Sequence, residues 1–149
     1  MKRVYSALLA AALAACAAGR QPVAGGRLPS GEEYRDYSTQ PFGYTIERET
    51  YGPEGKVREV RNLLTEENFK SLRVGMTPEE VAAVVGPSPV SEQRAYAGGT
   101  KSWSYRYRDI QVVKLLHVIF GPDDRVQHWY TEWDPRVYSK GGGKDNRGK

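Results

Sequence analysis

The chain has 149 residues, 39% of them hydrophobic and 27% charged, and a formal charge of +4. That length holds one domain with a modest core. The excess positive charge sits at the ends, in Lys2 and Arg3 and in Lys140, Lys144, Arg147 and Lys149 beside Asp145, so the stretch between is close to neutral. This excludes a phosphate-neutralising surface in the folded part, and with it nucleic acid as a partner.

Residues 1–15 read as an export signal. Lys2-Arg3 forms a positive start, residues 4–13 are an apolar run too short to span a bilayer, and small residues follow. The run ends in Leu13-Ala14-Ala15-Cys16, which resembles the bacterial lipobox. The resemblance implies that Cys16 carries an S-diacylglycerol and, after cleavage, an N-acyl chain, with no other cofactor. Cys16 is the sole cysteine, so no disulfide forms within the chain, and a free exported thiol would be an oxidation liability. Several acyl chains suffice for stable anchoring where one is marginal. Ala17, rather than Asp, follows the cysteine, which in lipoproteins of this kind is compatible with transport to the outer membrane.

Residues 16–41 are rich in Gly, Pro, Ser and charge, without a sustained period, and are expected to be a flexible tether; Tyr34 and Tyr37 sit among charged neighbours. Residues 42–62 read as a β-hairpin around Gly52-Pro53-Glu54-Gly55, with Pro53 at the first turn position and Gly55 as a left-handed residue. An isolated hairpin is marginal in water, so it must lie on something larger. Phe120-Gly121-Pro122-Asp123-Asp124-Arg125-Val126 repeats its turn position by position, either as a duplication or as convergence on one good turn.

The centre carries the clearest helix signals. Thr65 can cap a short helix with Glu66 and Glu67 in its first turn. Within Arg73-Val74-Gly75-Met76-Thr77-Pro78-Glu79-Glu80-Val81, Thr77 is an N-cap, Pro78 fits the first helical position and Glu80 closes a capping box. Gly86-Pro87 ends that helix. Both helices are too short to persist alone, so Phe69, Leu72, Val74, Met76, Val81 and Val85 need a sheet to cover them.

Trp103, Tyr105 and Tyr107 alternate with Ser102, Ser104, Arg106 and Arg108, which predicts a strand with one aromatic and one wet face. A second hairpin follows over residues 112–133, with Asp124 as a bulge residue pairing Gly121 with Arg125. That register puts Leu116, Val118, Phe120, Val126 and Tyr130 on the core face. Leu115, His117, Ile119, Gln127 and Trp129 fall on the other, an unusually apolar solvent side that the first hairpin or a partner would cover.

Two short helices, the loop at residues 73–77, Val81, Gly86, Trp103 with Tyr105 and a hairpin at Phe120 together resemble the SmpA/OmlA (BamE-like) family of outer-membrane lipoproteins, over residues 63–134. The resemblance implies an α+β fold, two short helices packed on a three-stranded antiparallel sheet (ααβββ), preceded here by the extra hairpin. It implies a non-catalytic accessory subunit of the β-barrel assembly machine on the periplasmic face of the outer membrane, touching lipid headgroups. The helical pair and sheet are also similar to the β-lactamase inhibitor protein fold, so a periplasmic inhibitor module, or an envelope-integrity lipoprotein outside that machine, is the alternative. Candidate partner contacts are Arg73 and Met76 in the loop and Ile119 and Trp129 on the open sheet face.

Catalysis is not expected. His117 and His128 fall on opposite faces in this register, two ligands are fewer than a catalytic zinc needs, and no nucleophile motif or small-molecule site is apparent. Residues 135–149, basic and Gly-rich, read as a disordered tail.

Overall fold

The computed structural model describes residues 19–89, 94–95 and 99–138. The fold is α+β, with few helices and two antiparallel sheets. The first sheet runs β1 (Ala24–Arg27), β2 (Glu33–Ser38), β3 (Ile46–Tyr51) and β4 (Val57–Asn62) in sequence order. After it come α1 (Glu66–Phe69) and α2 (Pro78–Val85). The second sheet has the two-residue β5 (Arg94–Ala95), then β6 (Lys101–Asp109), β7 (Val112–Phe120) and β8 (Val126–Trp133), and a helical turn α3 (Pro135–Tyr138) closes the described chain.

The turn at residues 52–55 forms as its chemistry dictates: Gly55 takes a φ of 73° and the Gly52 N–H bonds the Lys56 carbonyl at 2.9 Å. The hairpin does not stand alone, however. The stretch expected to be a tether supplies β1 and β2, with Asp36 paired to Arg48 and Tyr37 to Glu47 across the ladder. The correction has a clear cause. Arg48 donates Nε and a terminal nitrogen to both Asp36 oxygens at 2.7 and 2.8 Å, a third bond goes to the Ala83 carbonyl at 3.0 Å, and the guanidinium lies 4.2 Å from the Tyr34 ring centre. On the outer face Arg35 bonds Glu33 and stacks on Tyr51, whose hydroxyl donates to Glu49 at 2.6 Å. That bond, reinforced by Tyr37, holds the Tyr51 phenol above its ordinary pKa. Charges that look solvated one residue at a time are partnered within the sheet, Arg48 with Asp36 across strands and Arg35 with Glu33 along one.

Both helices start where the caps predict. The Thr65 hydroxyl accepts the Asn68 N–H, and Thr77 and Glu80 close a reciprocal capping box at 3.3 and 2.8 Å. Thr77→Ala leaves the Glu80 N–H without its hydroxyl partner, and denaturant titration should read a loss of about 1 kcal/mol.

One core joins the layers. Phe69, Leu72, Val81 and Val85 from the helices pack with Trp103, Tyr105 and Tyr107 of β6, Leu116 and Val118 of β7, and Ile46 of β3. Phe69 meets Tyr107 edge-on at 4.9 Å between ring centres. Val74, expected to be covered, is 73% exposed, because it sits at the second position of the turn that the Met76 N–H closes on the Arg73 carbonyl at 3.3 Å.

Candidate functional site

The loop at residues 73–77 is stitched to the start of β8. Gly75, at a φ of 89°, donates its N–H to the Val126 carbonyl at 2.8 Å, Val126 returns its N–H to the Met76 carbonyl at 2.9 Å, and Arg125 reaches the Gly75 carbonyl. Arg73 is exposed, and its guanidinium caps the end of α1 through the Lys70 carbonyl at 2.9 Å. Met76 packs partly buried against the core, its sulfur accepting the Arg73 N–H at 3.3 Å.

The second hairpin corrects the predicted faces. Asp124 takes a φ of 62° and Gly121 bonds the Arg125 carbonyl at 2.8 Å, so Phe120 faces Val126 as expected. A further register shift then leaves Gln127 without a partner and sets Ile119 opposite His128, Val118 opposite Trp129 and His117 opposite Tyr130. One inserted residue exchanges the faces of everything after it. Trp129 therefore packs on the core and Tyr130 leaves it, so Ile119 and Trp129 lie on opposite sides of the sheet and share no patch.

His117 and His128 consequently share a face, with Tyr130 between them at 4.9 and 6.1 Å from the two rings. His117 links three strands: its Nδ1 lies 2.8 Å from the Ser104 hydroxyl on β6 and its Nε2 3.0 Å from Glu132 on β8. In the tautomer that donates Nε2–H to Glu132, Nδ1 accepts from the Ser104 hydroxyl. The connectivity is that of a nucleophile, a base and an orienting acid, but Ser104 is only 8% exposed, and what the line does within the described residues is tie the strands together.

The face predicted to be wet is partly closed. Ser102 is 3% exposed, and the segment ahead of β3 packs along the β6 edge: the Gln40 amide accepts the Arg106 N–H at 2.9 Å and donates to the Arg106 carbonyl at 2.6 Å, as a neighbouring strand would. Tyr44 lies under both Arg106 and Arg108. Arg106 also donates to Asp134 at 2.6 Å. Burial raises the Asp134 carboxyl, but the bonds from Arg136 and Arg106 outweigh it and hold it below its ordinary pKa. Asp134 accepts the Arg136 N–H at 2.9 Å and so starts α3, where residues 135–138, assigned to a disordered tail, form a turn instead. Where β8 leaves the sheet, the Tyr138 hydroxyl takes the Val113 N–H at 3.0 Å.

Across the core, burial pushes the Tyr107 phenol up to about 12, and its hydroxyl donates to Glu66 at 3.1 Å. Lys114 bridges Asp109 and Glu66, each at 2.7 Å, and both bonds raise its pKa. At the end of β8, Trp133 is 64% exposed and rests on Tyr138 at 5.3 Å between rings. Among the described residues no group of three or more His, Cys, Asp or Glu is arranged to hold a metal ion, and no helix is long and apolar enough to cross a membrane. Leu13, Ala14, Ala15 and Cys16 lie outside the described residues.

Cross-strand proximity has no signature in local sequence, so the Ser104, His117 and Glu132 line and the Arg106 and Asp134 clasp emerge only in the fold. No family model, no curated protein and no solved structure matches this chain.

Proposed function

We infer that this chain is a lipid-anchored, non-catalytic binding module of the cell envelope that assists assembly of β-barrel proteins at the outer membrane. The observation that carries it is the loop at residues 73–77. Its motif residues, quoted above for their likeness to the SmpA/OmlA family, cap α2 with one end and pin β8 with the other. With α1, β6 and β7 they are compatible with an ααβββ unit, beside which β5 and the first sheet are additions. Arg73 and Val74 at the loop, and Tyr130 and Trp133 along β8, are the exposed side chains offered to a protein partner; Cys16 supplies the anchor through its acyl chains. Isolation of the acylated chain in mild detergent should recover barrel-assembly subunits. Recovery of a soluble exported hydrolase alone would favour an inhibitor instead. Cys16→Ser should release the folded chain from the membrane fraction, and unchanged fractionation would sink the anchor.

A further inference from the structure

β4 is an outer strand of the first sheet, and all of its residues up to Arg61 are exposed, Val60 by 55%. Its free backbone groups follow from its single neighbour. Leu63 donates its N–H to the Ile46 carbonyl, and the ladder sets Asn62 opposite Glu47, Arg61 opposite Arg48 and Val60 opposite Glu49. N–H and C=O groups alternate sides along an antiparallel strand. Leu63, Arg61 and Glu59 therefore turn theirs into the sheet, while Asn62 and Val60 turn theirs to solvent. Beyond Glu59 the register shifts, which ends the regular edge.

An incoming strand must set its own outward groups opposite these, so a second copy of β4 can dock only where even-numbered residues face even-numbered residues. A two-fold axis at Glu59 sets two carboxylates against each other, and one at Arg61 sets two guanidiniums. An axis at Val60 does neither. Val60 exchanges both hydrogen bonds with Val60 of the second copy, and Glu59 faces Arg61 of the second copy twice by symmetry. These are non-hydrogen-bonded positions, where opposing side chains approach most closely. Glu59 and Arg61 are both exposed, and neither is in an ion pair among the described residues.

We propose that β4 is a self-docking edge: two copies of this chain pair antiparallel about Val60, joining two four-stranded sheets into one. The same charges reject other strands and other registers, so the edge is selective rather than generally adhesive. The contact is small, which places it among weak, concentration-dependent associations.

Sedimentation velocity of the full chain in mild detergent, from about 1 µM to about 1 mM, spans the affinities such a contact gives. A monomer–dimer equilibrium is expected. Glu59→Arg and Arg61→Glu should each weaken the dimer roughly tenfold or more, because two attractive pairs become repulsive. Mixing the two single variants should restore dimers, since each then supplies the sign that the other lacks, and the double exchange E59R/R61E should restore them within one chain. That rescue separates a docking role from loss of folding. A chain that stays monomeric throughout, grows beyond dimers, or dimerises equally in both single variants overturns the proposal.

Discussion

Arg48→Ala should lower the unfolding free energy by about 3–5 kcal/mol, the largest effect expected of any charged residue described above. Arg48 and Asp36 expose 3% and 1% of their side chains, so the substitution strands a carboxylate away from water. It also removes the donor to the Ala83 carbonyl and the cation over Tyr34. Urea titration gives the loss. Replacing both partners together, as Asp36→Leu with Arg48→Met, should cost far less than the single change, because no charge is then left unpaired. A single-variant loss below about 1 kcal/mol would mean that β2 is not seated on β3, and would return residues 33–38 to the tether that their composition suggests.

That experiment bears on where sequence information ran out. Helix starts were legible because caps are local: Thr77, Pro78 and Glu80 act on backbone groups within one turn. The Gly55 and Asp124 turns were legible for the same reason. β2 was not, since Asp36 and Arg35 resemble a solvated linker until β3 supplies Arg48 and Tyr51. The face exchange at Gln127 was hidden too. Val126 already has its N–H and C=O engaged by the loop at residues 73–77, a tertiary contact, and the ladder resumes only one residue later. The line from Ser104 to His117 follows from the β6–β7 turn, which sets Asp109 opposite Val112. Its tip is Ile110 at a φ of 52°, a β-branched residue where turn chemistry expects Gly or Asn. Fold class and the helical centre could thus be read from residues in order; the candidate surface depends on pairings that no short stretch encodes.

Gly86→Ala should cost about 3 kcal/mol, a cost that the helix-stop role of this glycine does not account for. At φ 94° and ψ 173° the residue occupies a region essentially reserved for glycine, and forcing a side chain there costs about 1–3 kcal/mol. Space is the second contribution. A Cβ would lie 2.7 Å from Ile46 Cγ2 and 2.9 Å from its Cδ1, and Ile46 is 1% exposed, so overlap in a packed core adds about 1–3 kcal/mol. The Gly86 carbonyl accepts the Tyr105 hydroxyl at 3.3 Å, which fixes the end of α2 against β6 while Ile46 of β3 closes on its other side. The two contributions separate in a double-mutant cycle. Ile46→Ala removes the overlapping atoms, so G86A/I46A should be less destabilised than the sum of the single variants by about 1 kcal/mol, the backbone strain persisting. Additive costs would assign the whole effect to the backbone, and a Gly86→Ala loss below about 0.5 kcal/mol would mean that β3 does not approach α2 this closely, detaching the first sheet from the core it shares with the second.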